Sequence, residues 1–248
     1  MIIFKSDREI QIMREAGRIV AQCHAALKEH IQPGITTKEL DRIAENFIQQ
    51  TGATPSFKGH HGFPACICTS INDIICHGIP DQTELRAGDV ITIDIGVKLN
   101  GYHGDSGWSY AVGQVRPEID QLMKVTKECL DLGIQQARPG KRIGDIGAAI
   151  QTYAEGYQYG VVREFCGHGI GRDLWEEPEI PHYGRAGRGP LIKPGMVIAI
   201  EPMITNGGWQ AQIDKDGWTA RTVDHSICIQ YEHTIAVLED ETIILTQL

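Results

Sequence analysis

The chain has 248 residues, 32 of them acidic and 23 basic, for a formal net charge of −9. With 42% hydrophobic and 22% charged residues it is neither a disordered tail nor a membrane span, since no apolar run approaches the roughly 20 residues a bilayer requires. The acidic balance argues against nucleic acid or an anionic membrane as a whole-surface partner.

Residues 1–7 are charged too soon for a signal peptide. Ser6 and Glu9 form a capping box that opens a first helix. Leu40, Ile43, Ala44, Phe47 and Ile48 then follow the stripe of a second helix, behind Pro33 and Gly34. His60 and His61 sit in a Gly-rich loop, and His77 lies in the turn Cys76-His77-Gly78-Ile79-Pro80. Gly88 enters a β-branched strand that reaches Asp94. Asn100-Gly101 is a hairpin signal. A two-residue loop there pairs Leu99 with Tyr102 and Asp94 with Gly107. Asp105 then shares a sheet face with Asp94, while Ile91, Ile93 and Ile95 face a core. His103 has the parity of Asp105, which makes it a ligand or the support of one.

Pro117 suits the first position of a third helix. Residues 138–154 repeat the pattern of residues 32–48 at an offset of 106, with Ile146, Ala149, Ile150, Tyr153 and Ala154 as the stripe. Cys166-Gly167-His168-Gly169-Ile170-Gly171 lets backbone approach a ligand closely, and no phosphate-loop motif accompanies it. Residues 193–201 repeat residues 86–94 at an offset of 107, with Glu201 in the place of Asp94. The final strand pattern, residues 226–237, carries Glu232 among apolar neighbours, with His233 facing the other way. His24, His30 and His225 read as packing or surface residues.

The shared offset predicts one unit used twice, so an α/β (α+β) chain of two similar helix-helix-strand halves around a pseudo-twofold. The halves run over residues 1–113 and 114–248, and no linker separates them, which predicts a single domain over 1–248. Two buried acids on one face repel unless a proton or cation compensates, and four acids at strand positions in related halves shift the balance toward a cation site. Carboxylates with one imidazole suit Mn, Fe, Co or Zn, and four carboxylates balance two divalent ions. Seven cysteines, at 23, 66, 68, 76, 129, 166 and 228, with no C-x-x-C pair, read as the free thiols of a cytoplasmic protein.

Asp94, Asp105, Gly167-His168-Gly169-Ile170-Gly171, Glu201-Pro202 and Glu232 together resemble the type I methionine aminopeptidases in their compact bacterial form. The resemblance runs over essentially the whole chain, including Cys76-His77-Gly78-Ile79-Pro80 and Glu176-Glu177-Pro178. It implies the pita-bread fold with a central curved antiparallel sheet, and removal of the initiator methionine before a small residue. It also implies two divalent metal ions, with Asp94 on one, His168 and Glu201 on the other, and Asp105 and Glu232 bridging both. Glu201 and His77 are then the catalytic residues, Glu201 shuttling a proton and His77 standing beside the substrate's N-terminal end. Peptides with an N-terminal Met are the implied partners, nascent chains at the ribosome included, and the implied state is a monomer.

The chain departs from the family around the substrate. Leu174-Trp175 stands where the family reads Phe-His, and Phe57 and His60 stand where a Cys and a Tyr are usual. Phe63, Cys68 and Trp218 keep the pocket pattern. Two alternatives follow: another pita-bread metallopeptidase cleaving Xaa-Pro or broader N-termini, and a poorly active binding paralogue.

Overall fold

The computed structural model describes residues 1–248. In chain order the elements are α1 (Asp7–Lys28), α2 (Thr37–Gln50), β1 (Thr54–Pro55), β2 (Ile67–Ile71), β3 (Ile74–Cys76), β4 (Val90–Leu99) and β5 (Tyr102–Ala111). The second half follows with α3 (Pro117–Gln136), α4 (Ile143–Gly156), β6 (Gly160–Val161), β7 (Gly167–Gly169), β8 (Glu176–Ile180) and β9 (Val197–Ile200). It ends with β10 (Met203–Thr205), β11 (Ala211–Ile213), β12 (Ala220–Thr222), β13 (Cys228–Gln230), β14 (His233–Val237) and β15 (Thr242–Ile244). No helix is long and apolar enough to cross a membrane.

Local chemistry sets the helix ends. Ser6 caps α1, and the Glu9 carboxylate accepts from the Ser6 N–H at 2.9 Å. Pro117 occupies the first turn of α3. The boundaries of α2 and α4 differ by the 106 residues of the repeat at both ends, so the duplication is physical.

Asn100 and Gly101 both take positive φ, the geometry a two-residue hairpin turn needs. The β4–β5 register pairs Leu99 with Tyr102 and Asp94 with Gly107. β2 and β1 pair with the opposite edge of β4, and Cys68 faces Asp94 across that edge. In the second half β15, β14, β9, β7 and β8 form one sheet in that order, and every strand pair in the molecule is antiparallel.

Each half has a helix-on-sheet core, and a third apolar cluster joins the two. Ile91, Ile93 and Ile95 pack with Val20, Leu27, Leu40 and Ile48 from α1 and α2. Ile198 and Ile200 pack with Leu122, Val125, Ile146 and Ile150 from α3 and α4. The helices thus cover the outer faces of the sheets, and the carboxylates are left on the inner faces.

The last strand differs from the sequence reading. Residues 226–237 do not form one strand: β13 pairs with β10 and β14 with β9, and Glu232 lies in the break. There the Glu232 N–H donates to the Gly107 carbonyl at 2.7 Å, and Trp108 bridges to Tyr231. The break is where the second half changes partners to meet β5 of the first.

Candidate metal centre

A cavity of about 480 Å³ opens between the halves. Asp94, Asp105, His168, Glu201 and Glu232 line its floor, and Phe57, His60, Phe63, Cys68, His77, Trp175 and Trp218 line its walls. Leu174 is not on the wall: it is buried in the apolar cluster behind it, with Phe57, Phe63 and Ile170.

Three of the five floor residues converge closely. One ligand atom from each of Asp105, His168 and Glu232 lies within 4.8 Å of the others. His168 Nε2 also stands 3.7 Å from Glu201 Oε1 and 3.8 Å from Asp105 Oδ2. The His168 Nδ1 contacts the Gly169 carbonyl at 2.9 Å. A carbonyl only accepts, so Nδ1 carries the proton and Nε2 turns a lone pair toward the acids. Burial holds the His168 pKa down at about 4, so the imidazole is neutral near pH 7 and does not pair ionically with the acids.

The four carboxyls are held far from their usual range. Burial raises Asp94 to about 6. Burial first, then the neighbouring carboxylates, raise Asp105, Glu201 and Glu232 well above the ordinary value. Asp94 Oδ1, Asp105 Oδ1 and Glu232 Oε1 are buried with no hydrogen-bond partner. Buried acceptors that repel one another and lack donors are costly unless a cation satisfies them. The donor set, carboxylate oxygens and one neutral imidazole, fits a divalent transition ion.

Side chains beyond the sequence reading fix this floor. Thr234 Oγ1 accepts from the Asp105 N–H at 3.1 Å and donates to the Asp105 carbonyl at 2.8 Å. Gln230 Nε2 donates to Glu201 Oε2 at 3.1 Å. His182 Nε2 accepts from the Glu201 N–H at 3.2 Å. Gln230, a polar residue two positions before Glu232 in an apolar strand, was a readable signal; nothing local marked His182.

His103 is not at the floor. Its Nδ1 bonds to Ser56 Oγ at 2.8 Å and its N–H donates to Gly171 at 2.9 Å. His233 bonds to Thr246, and His24 bonds to Tyr110 and the Ser106 carbonyl. These three are structural. His30 and His225 are exposed, and His225 pairs with Asp73 at 2.7 Å.

The walls are aromatic. Phe63 meets Trp218 edge-on at 5.2 Å. His77 lies 5.7 Å from the Phe165 ring and 6.3 Å from Trp218, and burial lowers its pKa. It sits at φ 56°, with Gly78 so close to β2 that a Cβ there would lie 2.1 Å from the Thr69 carbonyl oxygen. Trp175 stands at the mouth, 45% exposed, with His60 at 4.7 Å and His61 stacked at 6.0 Å.

The sequence pattern of metallopeptidase family M24 matches residues 11–239. The chain is 56% identical to methionine aminopeptidase 1 of Bacillus subtilis, over 100% of both chains. The crystal structure of methionine aminopeptidase from Rickettsia prowazekii superposes with a TM-score of 0.98 at 42% identity, covering 99% of this chain and 100% of that one. A prolidase from Pyrococcus furiosus shares the fold at a TM-score of 0.80 and 24% identity, over 99% of this chain and 66% of its own. The duplicated pita-bread architecture is therefore common to all three.

Proposed function

The chain belongs to metallopeptidase family M24, and we infer that it is a methionine aminopeptidase, releasing N-terminal methionine from peptides whose next residue is small. One observation carries this reading: a single cavity joins a floor of four carboxylates, Asp105 and Glu232 buried and Asp94 and Glu201 half-buried, and a neutral imidazole to an apolar wall of Phe57, Phe63, Cys68 and Trp218. An unbranched apolar side chain fits such a wall, and Met adapts well to irregular aromatic surfaces. Full-length likeness to the Bacillus subtilis enzyme favours this over an Xaa-Pro peptidase or a binding paralogue. The prolidase matches only two-thirds of its own length.

Membership of the family implies a divalent metal. Two ions among Mn, Fe, Co and Zn would be held by Asp94 on one side, His168 and Glu201 on the other, with Asp105 and Glu232 between them. Bound, they would supply Lewis acidity toward the scissile carbonyl and the attacking water.

The remaining chemistry belongs to the chain's own side chains. Glu201, braced by Gln230 and with its backbone held by His182, takes the proton of the attacking water at a carboxylate oxygen and returns it to the leaving amine. His77, neutral at pH 7 and framed by Phe165 and Trp218, orients the substrate beside the scissile bond. Trp175 closes the mouth with an indole N–H donor that does not titrate. Phe57, His60, Phe63, Cys68 and Trp218 receive the methionine side chain, with Leu174 packed behind them.

The seven free thiols suit a reducing compartment. We therefore place the protein in the cytoplasm as a monomer, acting as one catalytic domain on nascent chains at the ribosome. A peptide panel assayed with Mn, Co and Fe tests the reading. Met-Ala peptides are expected to be cleaved best, and a panel led by Xaa-Pro peptides overturns it.

A further inference from the structure

Among the first five residues, Lys5 is the only one with a fully buried side chain, while Met1, Ile3 and Phe4 stay exposed. That inverts the usual order, in which apolar groups anchor a terminus and lysine faces water. The Lys5 ammonium meets the Glu176 carboxylate at 2.5 Å, with the two side chains 3% and 4% exposed. The ammonium also donates to the Ile3 carbonyl at 3.1 Å.

Glu176 is the pivot of a loop. Its Oε1 accepts from the Arg172 N–H at 2.9 Å and the Asp173 N–H at 3.3 Å, and its Oε2 takes Lys5. The loop, residues 170–175, joins β7, which carries His168, to β8, which begins at Glu176. Trp175 sits at its end, immediately before the pivot. Room for the pair is made by Gly171, where a Cβ would lie 2.4 Å from Glu176 Oε1 and 2.5 Å from Lys5 Cε. The Lys5 N–H is itself pinned to the Gly195 carbonyl at 2.7 Å, just before β9. The segment that leads into α1 of the first half is thus fastened to two elements of the second.

We propose that residues 3–5 form a latch for the substrate end of the site, and that Lys5 is a positioning residue which, through Glu176, holds Trp175 against the cavity. The latch acts on substrate binding and leaves the carboxylate floor untouched. Its kinetic readout rests on the aminopeptidase reading above; its spectroscopic readout does not.

The test uses the full chain and compares Lys5→Met with the double variant Lys5→Met, Glu176→Gln. The single variant strands a buried carboxylate. The double variant leaves none and keeps an amide oxygen to accept from Arg172 and Asp173. Lys5→Met is expected to raise KM for a Met-Ala peptide by about tenfold, as a displacement of the order of 1 Å at a positioning residue can do. The kcat stays within about twofold. Acrylamide quenching of the Trp175 fluorescence, isolated by subtracting Trp175→Phe, is expected to rise. In the double variant the melting temperature returns toward the parent, while KM and quenching stay high because the latch is still missing. Should KM and quenching return together with stability, or stay at parental values in both variants, the latch is refuted. If the parent cleaves no methionyl peptide, the functional reading fails, and the quenching contrast alone decides the latch.

Discussion

Replacing Asp105 with Asn should stabilise the metal-free protein and weaken the metal-loaded one. Asp105 is 3% exposed, and one of its oxygens lies within 4.8 Å of a Glu232 oxygen. At an effective dielectric near 20, two charges at that separation repel by about 3 kcal/mol. Burial and mutual repulsion raise both carboxyls, so part of this is relieved wherever the cluster takes up a proton. The gain left to Asn, whose amide can donate to Glu232, is roughly 1–3 kcal/mol. For a domain of this size each kcal/mol moves the melting point by about 2–4 °C, so the variant in EDTA should melt about 2–12 °C above the parent. Metal at about 100 times Kd should add ~2.7 kcal/mol to the parent, and far less to a variant lacking one carboxylate. The assay is thermal unfolding at pH 7.5, with EDTA and with Mn. An Asn variant that melts lower in EDTA, or that gains as much from Mn as the parent does, refutes the reasoning.

Two further outcomes follow from the same geometry. Gly78→Ala must push β2 away by about 1 Å, because the new Cβ would lie 2.1 Å from the Thr69 oxygen. That displaces His77, so kcat/KM should fall about a hundredfold while metal stoichiometry measured by titration stays at the parental value. In the metal-free protein Asp94 titrates at about 6 against 3.8 in an unperturbed chain. Between those values the folded state binds a proton that the unfolded state does not, so stability falls as pH rises. Buried histidines lowered to about 3 or 4, namely His24, His103, His168, His182 and His233, act in the opposite sense below pH 6.5, so the Asp94 contribution is read against a variant: in EDTA the parent should lose less thermal stability than Asp94→Asn on going from pH 7 to pH 5. Glu9, lowered to about 2 by Tyr102 and Ser6, works in the opposite sense only below about pH 4.5, outside the window.

The parts of this molecule that local chemistry decides could be read from the sequence. The turn at Asn100 and Gly101 sets the β4–β5 register by itself, so the placing of Asp94 against Gly107 followed by counting. The helix repeats carry their own Pro-Gly entries and apolar stripes, so α2 and α4 were visible as copies. Glu232 was visible as a misplaced charge, but the break around it was not. An alternating run reads the same whether its ends join one sheet or two, and only the distant partners β10 and β9 decide. Leu174 and Trp175 lie in a loop without strand parity, so which of them faces the cavity was not legible. Lys5 and Glu176 are separated by 171 positions, and no local pattern announces that meeting.

The way Asp105 and Glu232 are held has a consequence for how this chain tolerates change. The Asp105 backbone is fastened to Thr234 at both its N–H and its carbonyl, and the Glu232 N–H to the carbonyl of Gly107. Their separation is therefore ruled by strand spacing and the one Thr234 hydroxyl, neither of which depends on the side chains of the outer faces. Mutational drift among the apolar residues under α1 to α4 can proceed without recalibrating the floor, while the loops bearing His60, His77 and Trp175, which lie outside this strand pair, are where selection can retune what the cavity accepts.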